Sequence, residues 1–202
     1  MTDDGRRHES LADPEWPVLD SKTEYETGWY AGGYDLVEHP DGTTKRYYWA
    51  ELATAVVVVA VAEGPSAGRR TSSGDGGGGR VVFVEQYRPT IRETQLELPA
   101  GIVEAGESYT AAAARELREE TGFDPAGTSL LQESWCSTGV LRHRRGFVFA
   151  EGLSPVERDP DDGEFLEVRA VPIEEAVSTA RENPTNDATL EGVLLAREEG
   201  LL

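Results

Sequence analysis

Lysine is almost missing from this chain. Of its 19 basic residues only Lys22 and Lys45 are lysine, against 38 aspartates and glutamates, and the formal net charge is −19. So anionic a chain repels nucleic acid and anionic membranes at low salt, which argues against either as a partner. The composition resembles that of proteins from salt-loving organisms, and stability is expected to rise when salt screens the self-repulsion. An anionic ligand is repelled as well, so a site for one needs local arginine or metal. Cysteine is represented by Cys136 alone, so no intrachain disulfide can form and a reducing, cytoplasmic setting is expected. A lone cysteine of this kind is ordinarily a small, half-buried residue rather than a reactive thiol. Long apolar runs are also missing. The longest, residues 52–62, is broken by Thr54 and is about half of what a membrane helix needs. Residues 1–20 are polar and acidic with no apolar centre, so residues 1–22 read as a flexible acidic leader without a signal peptide.

What is present reads as alternating strands and a few helices. From Thr23 to Glu51 aromatic and β-branched residues accumulate, and His39-Pro40-Asp41-Gly42 is a turn between two strands. Residues 23–52 therefore form an N-terminal antiparallel β segment, and residues 53–202 the main domain. The valines of residues 55–62 read as a central strand buried on both faces. Residues 63–80 are rich in glycine and serine. The glycines at 76–79 invite comparison with a phosphate-cradling loop, but the lysine, the hydroxyl residue and the following helix are missing, and a hairpin connection accounts for them better. Further strands are expected at residues 81–85, 95–98, 130–136, 147–150 and 165–171. Pro172 opens a short helix, and Asp187 is placed to cap a last one ending at Gly200. The pattern predicts an α+β fold, an α/β/α sandwich around a mixed sheet.

The most informative stretch is residues 101–123, GIVEAGESYTAAAARELREETGF. Ser108 is placed to cap a helix, residues 111–114 are all alanine, and Gly122 stands where a left-handed stop is expected. At about 100° per residue, Glu116, Glu119 and Glu120 fall on one face. Thr110, Ala113, Ala114, Leu117 and Thr121 form a small, mostly apolar stripe for packing, with Arg115 and Arg118 on the other side of the carboxylates. An acidic helix by itself is ordinarily a solvated surface helix. Carboxylates gathered at fixed spacing repel one another and suit a divalent cation.

The whole 23-residue pattern resembles the Nudix box, Gly-x5-Glu-x7-Arg-Glu-hydrophobic-x-Glu-Glu-x-Gly-hydrophobic, at every fixed position; Phe123 fills a slot where a smaller aliphatic residue is commoner. The resemblance implies a Nudix-type sandwich, hydrolysis of a nucleoside diphosphate linked to another group, and a need for Mg²⁺ or Mn²⁺. It implies metal ligation by Glu116, Glu119, Glu120 and the carbonyl of Ala100. It gives Arg115 and Glu107 the bracing of those ligands, and Gly101 and Gly122 structural roles.

The flanks resemble the ADP-ribose pyrophosphatase branch: Gln86-Tyr87-Arg88-Pro89, Glu97-Leu98-Pro99-Ala100-Gly101, residues 161–168, residues 171–176 and Asp187-Ala188-Thr189. The branch implies ADP-ribose as substrate, a homodimer joined through the N-terminal sheet, and a late-loop glutamate as general base. Glu164 matches that position, with Asp161 and Asp162 beside it; otherwise Glu119 or Glu120 does double duty. Arg88 is a candidate phosphate grip and Glu97 a further ligand or arginine partner. One departure stands out. Where the branch carries Ser-Pro-Gly and a glutamate four residues later, this chain has Ser137-Thr138-Gly139 and His143. Arg142, His143 and Arg144, with Arg145, make a basic cluster suited to a terminal or sugar phosphate. Another nucleotide sugar, a dinucleotide or a nucleoside triphosphate is the alternative substrate, and a nucleotide-binding regulator without turnover is the alternative class.

Overall fold

A computed structural model describes residues 16–63, 78–159, 165–182 and 184–202. Most of the glycine-rich loop and the acidic loop carrying Asp161, Asp162 and Glu164 lie outside the described residues. The strands are β1 (Val18–Glu26), β2 (Tyr30–Glu38), β3 (Thr44–Leu52), β4 (Ala55–Ala62), β5 (Arg80–Arg88), β6 (Glu93–Glu97), β7 (Ala100–Ile102), β8 (Phe123–Asp124), β9 (Gly127–Trp135), β10 (Leu141–Arg142), β11 (Arg144–Glu151), β12 (Ser154–Pro155) and β13 (Leu166–Pro172). The helices are α1 (Tyr109–Thr121), α2 (Ile173–Ala180) and α3 (Asp187–Glu198). The chain divides into two units, residues 1–52 with 137–142, and residues 53–136 with 143–202.

In the first unit the strands run in the order β1-β2-β3-β10. The turn after β2 forms as the sequence predicts, closed by Gly42 N–H to His39 O at 2.9 Å and His39 N–H to Thr43 O at 2.8 Å. One expectation is corrected: β1 starts at Val18, inside the stretch read as leader, where it pairs along β2. β1, β2 and β3 pair antiparallel, and β10, from a distant part of the chain, adds to β3 in parallel, Leu141 opposite Ala50. Tyr34 and Val37 are buried, whereas Trp29, Tyr25 and Tyr48 stand largely exposed.

The second unit is built on a mixed sheet ordered β13-β5-β4-β11-β9, with β6 on β5 and β7 on β4. Only the β4–β11 ladder is parallel among its main-path pairs. The run of valines in β4 is explained by burial on both faces. Val57 and Val59 pack with Phe83, Phe147, Val193 and Ala196 under α2 and α3. Val56, Val58 and Ala60 pack with Val82, Val148, Ala112 and Leu117 under α1. The result is the helix–sheet–helix sandwich the sequence predicts, with a glycine-rich connection between β4 and β5 whose middle is outside the described residues.

α3 is capped by Asn186, whose Oδ1 accepts from Thr189 N at 3.0 Å; Asp187 is the first helical residue and not the cap. Buried Thr189 in turn accepts the Leu98 N–H at 3.0 Å, tying the turn after β6 to α3. Thr189→Val keeps the shape and deletes the acceptor, leaving a buried N–H unpaired. A loss of about 1–3 kcal/mol in unfolding free energy is expected from denaturant titration; an unchanged midpoint would show that the bond contributes nothing.

Candidate active site

α1 is positioned by its ends. Ser108 Oγ accepts from Ala111 N at 3.2 Å, and Gly122, at φ 74°, turns its N–H back to Arg118 O at 2.9 Å. Ala112, Ala113 and Leu117 are fully buried, so the small residues let the helix lie close on the sheet. Ala112 takes the packing place expected of Ala114, which is only half-buried.

The carboxylates are arranged around Arg115, which lies among them instead of beyond them. Its Nη1 donates to Glu116 Oε1 at 2.9 Å and to Glu119 Oε2 at 3.0 Å. Nε and Nη2 donate to the two oxygens of Glu107 at 3.3 and 3.1 Å, and Nη2 also to Ile102 O at 2.8 Å. The Glu107 carboxyl is held below its ordinary pKa by the hydrogen bond from Arg115 first, and by a backbone N–H from Glu104. The same carboxylates push the guanidinium pKa up. Glu120 differs from its neighbours on the helix. It is buried, and its Oε2 accepts the Ala100 N–H at 3.1 Å. The sequence puts all three glutamates on one helix face; the close approach of α1 to β7 covers Glu120. A Cβ on Gly101 would fall onto the Glu116 carboxylate, so the glycine makes the space in which that group sits.

Among the described residues no three metal-binding side chains converge tightly enough to hold an ion as they stand. The donor set nonetheless fits a hard divalent cation. Two carboxylate oxygens already meet on one cationic nitrogen, a third carboxylate lies one helical position on, and all are oxygen donors.

Beside this cluster is a cavity of about 240 Å³ bordered by Ala100, Gly101, Arg88, Glu97, His143 and Arg145. Arg88 forks onto buried Glu97, Nε to Oε1 at 3.1 Å and Nη2 to Oε2, so Glu97 is an arginine partner. Arg145 Nη1 lies 3.5 Å from Asp187 Oδ2. The basic cluster of the sequence does not assemble as one. Arg142 pairs with Asp35 and stacks 4.1 Å over Trp49. Arg144 pairs with Glu133 at 3.0 Å and lines a different cavity of about 570 Å³ at the start of α1, with Tyr109 and Glu133. They lie on different elements: Arg142 ends β10, on the β3 edge, whereas Arg144 opens β11, paired with β9. Sequence reasoning passed over Thr189 and Asn186 as lining residues, although Asp187-Ala188-Thr189 marked the segment, and over the Tyr109–Glu133–Arg144 group, which nothing local signals.

A family model described as a NUDIX domain matches residues 73–192. The chain is 30% identical over 154 residues to the ADP-ribose pyrophosphatase of Bacillus subtilis, covering 75% of this chain and 76% of that protein. It is 30% identical over 156 residues to the methanol dehydrogenase activator of Bacillus methanolicus, covering 76% and 77%. A solved structure of an ADP compounds hydrolase shares the fold, with a TM-score of 0.75 at 19% identity over 93% of this chain and 97% of that one. The chain belongs to the Nudix hydrolase family. None of the described helices is long and apolar enough to cross a membrane.

Proposed function

We propose that the protein is a divalent-metal-dependent pyrophosphohydrolase that cleaves ADP-ribose to AMP and ribose 5-phosphate. The observation that carries the reading is the meeting of Glu116 and Glu119 on one cationic nitrogen beside Gly101, within a complete Nudix box. Glu116, Glu119, Glu120 and the Ala100 carbonyl would hold Mg²⁺ or Mn²⁺. When bound, the metal neutralises the diphosphate and acidifies water. Arg115 and Glu107 brace the carboxylates, a supporting role that keeps ligands oriented. Arg88, its fork fixed by Glu97, grips a phosphate oxygen. Glu164, or else Glu119 or Glu120, takes the proton from the attacking water.

The choice of ADP-ribose is supported by the likeness to the Bacillus subtilis enzyme and by the flanking segments. Residues 23–52 act as a dimerisation element of a homodimer, supported by the exposed rings of Trp29, Tyr25 and Tyr48. The cytoplasm is the compartment that suits a lone, half-buried cysteine. The test is a hydrolysis panel of ADP-ribose, other nucleotide sugars, dinucleotides and nucleoside triphosphates, with Mg²⁺, Mn²⁺ or chelator, at low and molar salt. AMP and ribose 5-phosphate should appear only with metal, and fastest from ADP-ribose. The likeness to an activator protein favours one second reading, a nucleotide-binding regulator; tight ADP-ribose binding with no products in Mg²⁺ would select it.

A further inference from the structure

A glycine in the middle of a strand weakens it and often marks a close approach by another group. Gly146, buried in β11, is such a glycine. What approaches it is Tyr109, the first residue of α1: a Cβ on Gly146 would stand 2.3–2.7 Å from three atoms of the Tyr109 ring. The ring also reaches β9, where Glu133 is the register partner of Gly146. The Tyr109 hydroxyl donates to Glu133 Oε1 at 3.1 Å, and Arg144 Nη1 donates to the same oxygen at 3.0 Å. Arg144 in turn lies 5.4 Å over the Trp135 ring, which steadies the guanidinium behind Glu133. Tyr109 is thus seated on the sheet twice, by its ring face and by its hydroxyl.

The seat matters because Glu107 lies two residues before it. The loop from β7 to α1 is tied to the sheet at both ends. Val103 N–H donates to Thr54 O at 2.9 Å at its start, and Tyr109 holds its end. Between the two ties Gly106 takes a left-handed turn, φ 83°, which supplies a bend and no anchor. We propose that Tyr109 is a positioning residue for the metal site: seated by Gly146 and Glu133, it places Glu107, and through Glu107 and Arg115 it sets where the Glu116 and Glu119 carboxylates stand. The inference rests on the metal-dependent pyrophosphohydrolase reading. It gives Arg144 the support of Glu133 as its role, in place of the phosphate contact expected from the sequence.

Mn²⁺ dissociation constants are measured by electron paramagnetic resonance of the free ion, without substrate, and the Mn²⁺ concentration for half-maximal hydrolysis is read in parallel; where binding needs substrate, the second constant decides. The methyl of Gly146→Ala drives the Tyr109 ring off the strand by roughly 1 Å, and a displacement of that size matters in a positioned group. The variant should bind Mn²⁺ about tenfold more weakly or worse. Tyr109→Phe keeps the ring and loses one exposed hydrogen bond, so about a threefold loss is expected. Val177→Ala, on α2 across the sheet, controls for plain destabilisation: it should lower the melting temperature and leave the Mn²⁺ constant within about twofold of wild type. A merely structural Tyr109 would make its variants behave like this control. Adding Gly146→Ala to Glu107→Gln should weaken binding scarcely further than Glu107→Gln alone, because both act through one carboxylate. Additive losses overturn the proposal, and so does a wild-type constant in Gly146→Ala. Should Gly146→Ala fail to fold, a wild-type constant in Tyr109→Phe overturns it. Wild type that binds no Mn²⁺ and releases no product refutes the enzyme and the positioning role together; wild-type binding that these variants leave unmoved refutes the positioning role alone.

Discussion

Glu119→Gln should lower metal-dependent turnover by at least about a hundredfold while leaving the melting temperature within a few degrees of wild type. Glu119 is the least covered of the carboxylates around Arg115, with its side chain one-third exposed. Its hydrogen bond from Arg115, at 3.0 Å, is a part-buried i,i+4 ion pair, and pairs at that helical spacing are worth only about a few tenths of a kcal/mol to the fold. The amide fits the same space and can still accept from Nη1. What it removes is a full negative charge where a divalent cation needs one, and the loss of a preorganised charge in an active site costs on the order of 10²–10³ in kcat. A second readout is independent of catalysis: the gain in melting temperature that Mn²⁺ gives wild type should shrink in the variant. Near-normal turnover with a full Mn²⁺ gain would remove Glu119 from the metal site. Glu120 is the poorer residue for this test, because it is buried and bonded to the Ala100 N–H. Substitution there disturbs packing and chemistry together.

The contrast between Glu119 and Glu120 shows what the sequence carries and what it does not. The limits of α1 were legible because its capping serine, alanine run and terminal glycine are local signals. β4 was legible because burial on both faces leaves an uninterrupted run of valine and alanine. The box spacing located the carboxylates, but the distance between α1 and β7 decides which of them is covered. That distance depends on Ala112 and Ala113 meeting the sheet, a tertiary fact. The pairing of the two-residue β10 with β3 is equally non-local, and so is the separation of Arg142 and Arg144 onto Asp35 and Glu133. Asn186 and Asp187 cap helices about equally well, so only the backbone geometry distinguishes cap from first residue.

Gly101→Ala should separate the fold from the chemistry in the same way, from the opposite side of the site. The added methyl would occupy the place of the Glu116 carboxylate carbon and both its oxygens. Those atoms are the far end of a flexible side chain, so the protein can relieve the overlap by turning Glu116 to another rotamer, at roughly 0.5–1.5 kcal/mol for an off-minimum torsion. The strand itself is undemanding: Gly101 pairs opposite Val56 in the β4–β7 ladder, and alanine is compatible with extended backbone there. The folded state should therefore survive with a small change in melting temperature. The carboxylate, however, can no longer sit between Gly101 and Arg115 Nη1. A displacement of about 1 Å in a positioned group is enough to cost on the order of a hundredfold in rate. The expected result is a folded protein with kcat down by about a hundredfold and a reduced thermal gain from Mn²⁺. Unimpaired turnover would mean that the Glu116 carboxylate does not need this pocket, and the ligand set proposed around it would have to be redrawn. Combining Gly101→Ala with Glu116→Gln adds a further check. If both act through the same carboxylate, the double variant should be scarcely worse than the poorer single one, because groups that work as a unit are not additive.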